Sequence, residues 1–417
     1  MSLLTLLRAD RRAPDGGEPR PRRPRWVLVV LAVAALSAVA TFADAPDLTS
    51  AGIAAATLRF AVPILLAGLG GLWAERSGTL NIGLDGMMIM GCWTGAWVGL
   101  SHGPWAALVA GVVGGTLCGL LQAVVTLGWG VDQAISGIVI NMGAIGVVRF
   151  LSSVTFARQP GGSISQSPTL EQLPLVSLPG AELLLGPVAR SDVPVVADAA
   201  RLLTGLLTGV SAGTVLALLL VPASWWILSR TRFGLRVTAC GENPSAADSL
   251  GVSPYRIRCA AQAISGGLAG LGGAYLVVAA SSLYREGQVG GRGFIGLATV
   301  VFGNWTPGGV LTGSLLFGFT DALSTRQAGS VTALLLLGAG ALIGRALFLY
   351  RQGRLTTATW NVAFGVPVLV WFLVGPEVPR ELLGVAPYLT TLVVLVAARQ
   401  TLRPPAAVGA TYRRSEE

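Results

Sequence analysis

The chain has 417 residues, 53% hydrophobic and 12% charged, and a mean hydropathy of +0.67, which places it among polytopic membrane proteins. Its net charge of +9 comes from arginines gathered in tails and short loops, the positive-inside pattern, which argues against nucleic-acid binding. The chain has no lysine, which excludes a Walker A phosphate loop and Schiff-base chemistry. With His102 alone, and Cys92, Cys118, Cys240 and Cys259 lacking metal-ligand spacing, it does not read as an enzyme.

In chain order, residues 1–25 form a disordered basic cytoplasmic tail carrying Arg8, Arg11, Arg12, Arg20, Arg22, Arg23 and Arg25. Trp26–Thr41 is the first predicted span. Ala38-Val39-Ala40 fits a cleavage pattern, but the basic region before it is too long for a signal peptide. Ala51–Trp73 returns inward. The stretch 77–95 then mixes glycines with Asn81 and Asp85 in an apolar context, a broken helix whose polar groups must face protein or a water-filled path. Pro104–Gly128 and Asp132–Phe150 are further spans, the latter bearing Asn141. Residues 151–200, rich in proline and glycine with mixed charge, are an extracytoplasmic loop. Leu202–Leu228 leads back inward.

The polar run 229–258 separates the two hydrophobic halves. Asn243 can cap a helix with Pro244 at its first turn, Ala246 and Ala247 favour helix, and Gly251 ends it in the left-handed conformation. Ser253 caps the next helix, with Pro254 at its first turn. A capped helix of about two turns among arginines suits a cytoplasmic partner.

In the second half, the span 259–280 carries Gly266 and Gly270, with Ala269 and Gly273 repeating the spacing, so it packs tightly on a neighbour. Residues 294–318 are interrupted by Asn304, Pro307, Gly308 and Gly309. If 294–303 dips in and 308–322 comes back out, Arg351, Arg354 and the tail 399–417 all fall on the cytoplasmic side, so the re-entrant reading is preferred. Val331–Tyr350, Trp360–Val374 and Val385–Ala397 complete the membrane region 26–398. Asn81 near Gly83 and Gly86, and Asn304 near Gly308 and Gly309, are paired interruptions that point to an internal repeat with a solute path between the halves. The expected fold is all-α: a transmembrane bundle of two related halves, with glycine-broken or re-entrant helices lining a path.

GENPSAADSLGVSPYRIR (241–258), followed by SGGLAGLGGAYL (265–276), resembles the coupling loop of ATP-binding-cassette importer permeases of the ribose, nucleoside and branched-chain amino acid group. ERSGTLNIGLDGMM (75–88), QAISGIVINMGA (133–144) and FIGLATVVFGNW (294–305) are similar to the nucleoside and simple-sugar branch. PYLTTLVVLVAARQTLRPPAAVGATY (387–412) resembles the family's closing segment, and 326–375 looks like an added hydrophobic hairpin. The resemblance implies a multi-span bacterial inner-membrane permease with both termini cytoplasmic. It implies a second related permease, an ATPase that holds ATP and magnesium, a solute-binding lipoprotein outside and no cofactor in this chain. It makes Gly241, Glu242, Asn243, Pro244, Ala246, Ala247 and Gly251 the ATPase-coupling residues.

Candidate solute-path residues are Asn81, Asp85, Trp93, Asn141, Asn304 and Trp305. Asp85 either orients a solute or bonds backbone N–H groups in a broken helix. The asparagines either bond a sugar or base or join helices, and joining is slightly preferred for Asn141. The tryptophans either stack on a planar solute or anchor at the membrane interface, which is the commoner use. With no cation expected on the path, anionic solutes should be excluded. The alternative is an ion-coupled secondary transporter, against which the near-isolation of Asp85 counts.

Overall fold

A computed structural model describes residues 25–43, 45–324, 328–374, 402–410 and 412. The predicted span 385–397 and most of both tails lie outside these residues. The helices are α1 (Arg25–Phe42), α2 (Ala51–Arg76), α3 (Leu84–Ala123), α4 (Gln133–Thr155), α5 (Ala181–Val188), α6 (Pro194–Leu207), α7 (Ala212–Arg230), α8 (Arg232–Glu242), α9 (Pro244–Ser249), α10 (Pro254–Tyr275), α11 (Arg292–Phe302), α12 (Pro307–Ser324), α13 (Ala328–Arg351) and α14 (Leu355–Val374). Two short strands, Leu175–Val176 and Val210–Ser211, pair antiparallel. Among the described residues, six helices are long and apolar enough to cross a membrane.

The core is built on α2, α3 and α10, with α11 and α12 packed against α2. A Cβ on Gly115 would overlap the Gly266 carbonyl, and one on Gly270 the Gly111 carbonyl. The backbones of α3 and α10 therefore touch along a seam of glycines, as the spacing in 266–273 predicts, and dispersion replaces the hydrophobic drive that lipid does not supply. Gly103 takes φ 81°, ψ 177°, ahead of Pro104, and kinks α3 into two helical arms. Short π-helical turns follow at Val124–Gly128 and Leu276–Ser281.

Several expectations change. The region 151–200 is not a plain loop, for it includes the end of α4, a strand, α5 and the start of α6. Asp198, counted among its outward charges, is buried and accepts from Ser37 (2.7 Å), Thr49 (2.9 Å) and Arg201 (2.9 Å), fastening α6 to α1. The span 202–228 is two helices, since the chain leaves helix at Thr208 and Gly209 takes φ 64°. The polar run also contains α8, begun by Thr231, whose hydroxyl accepts from the Gly234 N–H at 3.1 Å. Ser253 sits at the α10 N-cap without a side-chain cap bond.

The chain does turn back at 303–306. A Cβ on Gly303 would lie 2.5 Å from the Gly309 backbone, so α11 and α12 meet at their tips. Eleven residues make α11 about 16 Å long, too short for a hydrocarbon core of about 30 Å. Helices α13 and α14 pack on each other through a turn at Gly353, φ 73°.

Candidate functional site

The break at 77–83 is held by its own Asn81 and by side chains from α4 and α10. Asn81 donates to the Ser265 hydroxyl (2.8 Å) and accepts from the Gly83 N–H (3.0 Å). Asn141 on α4 accepts from the Gly86 N–H (2.7 Å) and donates to the Ile82 carbonyl (2.9 Å). Gln133 accepts from the Leu80 N–H at 2.6 Å. The first turn of α3 exposes N–H groups with no helical partner, and in lipid each must be met by protein. Both asparagines are buried and act as helix-joining groups.

Asp85, half-buried, accepts from the Gly293 N–H at 2.9 Å. Its carboxylate thus meets the first turn of α11, where the helix dipole favours negative charge. A Cβ on Gly293 would overlap the Asp85 backbone, so only glycine allows this approach. The break at 77–86 therefore meets the segment 287–293, rather than the Asn304 interruption expected as its counterpart.

A cavity of about 340 Å³ opens beside this junction. Asp85, Ile89, Ile145 and Val148 line it from the helices, and Tyr284 to Gly291 from the connecting segment. That segment is held by residues 163–173: the Ser167 N–H donates to the Tyr284 carbonyl (3.0 Å), Leu170 to Ser282 (2.7 Å) and Glu286 to Ser165 (2.7 Å). Burial, then the Cys92 thiol and Glu286, push the Tyr284 phenol above its ordinary value, so it is a neutral donor. Tyr284, Arg285, Glu286 and Gln288 form a polar wall that the sequence reading missed. The run YREGQ, ahead of Gly290 and Gly291, was its only signal. Arg285 on this wall corrects the expectation that no cation faces the path. Nearby Arg292 is ion-paired to Asp321 at 2.5 Å.

Trp93 is buried and stacks on Trp97 (centroids 5.6 Å) and near Phe156 (5.9 Å). Phe156 continues to Tyr284 at 5.8 Å. Trp93 thus supports the cavity wall from behind.

Asn304 and Trp305 lie elsewhere. Both take left-handed backbone, φ 48° and 54°, a conformation that persists only where surroundings enforce it. Arg76 at the end of α2 donates twice to the Trp305 carbonyl, at 3.0 and 2.6 Å, and the buried Glu75 accepts from the Trp305 indole N–H. The turn 303–306 is thereby pinned to the end of α2, away from the cavity.

The same end carries the polar run. A Cβ on Gly241 would overlap the Arg76 carbonyl, seating α8 on α2. Burial pushes the Cys240 thiol up. Asn243 caps α9 by accepting from the Ala246 N–H at 3.0 Å, Pro244 opens it and Gly251 takes φ 79° beyond it. Glu242 is exposed and accepts from the Ala406 N–H at 3.4 Å. Ala246 is exposed, but Ala247 is 3% exposed, so the two do not share an outward face. The exposed side of α9 carries Ala246 and Ser249, with Leu250 just beyond at 84% exposure.

Residues 53–374 match the family model described as "Branched-chain amino acid transport system / permease component". The chain belongs to this family. It is a multi-pass membrane permease subunit of ATP-binding-cassette transporters, not a member of an enzyme family. It is 34% identical over 65% of its length, and 81% of the relative, to the guanosine ABC transporter permease protein NupQ of Bacillus subtilis (strain 168). It is 30% identical over 87% of its length, and 97% of the relative, to the nucleoside ABC transporter permease protein NupC of Lactococcus lactis subsp. cremoris. A putative glucose ABC transporter permease protein, TsgC13 of Haloferax volcanii, is 36% identical over 67% of the chain and 78% of the relative. No solved structure matches the chain. The matched range includes all of α13 and α14, so both helices of the hairpin lie inside it.

Proposed function

We propose that this permease imports nucleosides or related simple sugars across the bacterial cytoplasmic membrane, with α8, α9 and both termini on the cytoplasmic side. The observation that carries the reading is the Asp85 cavity. Its apolar walls, Ile89, Ile145 and Val148, suit a planar or ring face, and Asp85, Tyr284 and Gln288 offer acceptors and donors for hydroxyls and base edges. The nucleoside and glucose permeases among the relatives agree with that chemistry. A related second permease completes the path, as the paired names NupP and NupQ suggest for their system. An extracytoplasmic lipoprotein delivers solute. The partner ATPase binds ATP and magnesium and docks on the exposed side of α9.

Two measurements test this. Competition uptake assays should show nucleosides displacing one another, with nucleotides and sugar phosphates excluded because Asp85 and Glu286 outnumber Arg285 on the cavity lining. Transport preferring the phosphorylated forms would sink the solute assignment. Ala246→Arg should leave the protein folded, because arginine favours helix, yet remove most ATPase association by placing a long charge in the contact. Normal association would show that α9 is not the docking helix. Ala247→Arg is the contrasting variant: it buries an unpaired charge within this chain, at several kcal/mol, and should not fold.

A further inference from the structure

Residues 402–410 and 412 lie outside the helices and cross the end of the bundle where α2, α8 and α9 meet. Their bonds reach each of these elements or the turns beside them. The Arg403 N–H donates to Asn304 Oδ1 (2.9 Å), the Ala407 N–H to the Gly241 carbonyl (2.8 Å) and the Gly409 N–H to the Gly78 carbonyl (3.3 Å). The Tyr412 hydroxyl donates to Asp248 on α9 (3.2 Å), and its carbonyl accepts from the Tyr255 hydroxyl (3.1 Å). Arg258, 1% exposed, donates to both the Ser77 and Ala410 carbonyls at 3.2 Å. The carbonyl ends of α2 and α8 beside it supply negative potential for that buried cation. These bonds join structures distant in sequence.

We infer that this strap is a positioning element, locking the docking helix α9, the break at 77–83 and the turn at 303–306 into one body. Motion delivered at Asp248 passes through Tyr412 and the strap to Asn304. It then runs along α11, a lever about 16 Å long, to Gly293 and the Asp85 cavity. The inference rests on the import reading, with the ATPase docking at α9.

The test uses the full complex in proteoliposomes, with both permeases, the ATPase and the binding protein. Tyr412→Phe deletes one hydroxyl and keeps the ring packed on Tyr255, whose centroid is 5.6 Å away. Asn304→Gly keeps the left-handed backbone and removes the acceptor, whereas Asn304→Asp keeps an acceptor. Tyr412→Phe and Asn304→Gly should leave assembly and basal ATP hydrolysis at wild-type values while solute moved per ATP falls about fivefold, the factor for one lost hydrogen bond. Asn304→Asp should retain coupling. A purely structural role would lower assembly and leave the ratio unchanged. Wild-type stoichiometry in both Tyr412→Phe and Asn304→Gly would overturn the strap, as would Asn304→Asp falling as far as Asn304→Gly. If Asn304→Gly fails to assemble, Tyr412→Phe decides alone. A wild-type complex without solute-stimulated hydrolysis would overturn the import reading and this inference with it, whereas a coupled wild type beside equally coupled Tyr412→Phe and Asn304→Gly overturns the strap only.

Discussion

The stretches Pro254–Ser281, which contains α10, and Leu355–Val374, which is α14, have the same peak mean hydropathy of 1.6, yet 72% of the first window is buried inside the protein and 11% of the second. Hydropathy cannot separate them, because lipid and protein interior are equally apolar. Side-chain size does. Gly266, Gly270 and Gly273 on α10 each lie where a Cβ would meet another backbone, whereas Gly338, Gly340 and Gly344 on α13, the partner of α14, have nothing within 4 Å. Bulky Trp360 and Phe364 on α14 stack on each other at the exposed surface. Small residues at a helical spacing mark the transport core only where a second helix presents small residues in register.

The sharpest way to break the comparison is Gly270→Leu. A leucine there would have to displace the α3 backbone, and overpacking of a rigid seam costs about 3 kcal/mol or more. Little folded protein should be recovered from detergent-solubilised membranes. Gly340→Leu is the matched control and should express like wild type. Equal yields of the two would refute the seam as the organising contact.

Asn141→Ala comes next. It leaves the Gly86 N–H and Ile82 carbonyl without their partner in a buried site, a loss of about 2 kcal/mol. Denaturant or thermal unfolding in detergent should show it, and unchanged stability would mean that water replaces the amide. Asp85→Ala should destabilise less, by about 1 kcal/mol, because the Gly293 N–H borders a cavity that can admit water. Its transport should fall further than its stability, and Asp85→Asn, which keeps an acceptor, should recover most of the stability. If transport by Asp85→Ala tracks folded protein one for one, the carboxylate is a brace and not a solute contact. The smallest effect belongs to the hairpin: Trp360→Leu, at an exposed apolar site, should shift the unfolding midpoint by less than the equivalent of about 0.5 kcal/mol.

Local rules determined much of this protein. Composition places it in the membrane. Asn243, Pro244 and Gly251 define the short helix between the halves, and the turn at 303–306 follows from its Asn, Pro and Gly residues. These signals are legible because each acts within a few residues, through capping, left-handed backbone or transfer to lipid. The pairing of distant segments was not legible. That Asp85 holds Gly293, that Trp305 belongs to Glu75 and Arg76, that Ala247 faces inward while Ala246 faces out, and that Arg403 meets Asn304 while Tyr412 meets Asp248 are facts of tertiary structure. A hydrogen bond or a glycine contact needs two partners at a few ångströms. Spacing along the chain names the groups that must find a partner in lipid, and the packing of helices decides which partner each one meets.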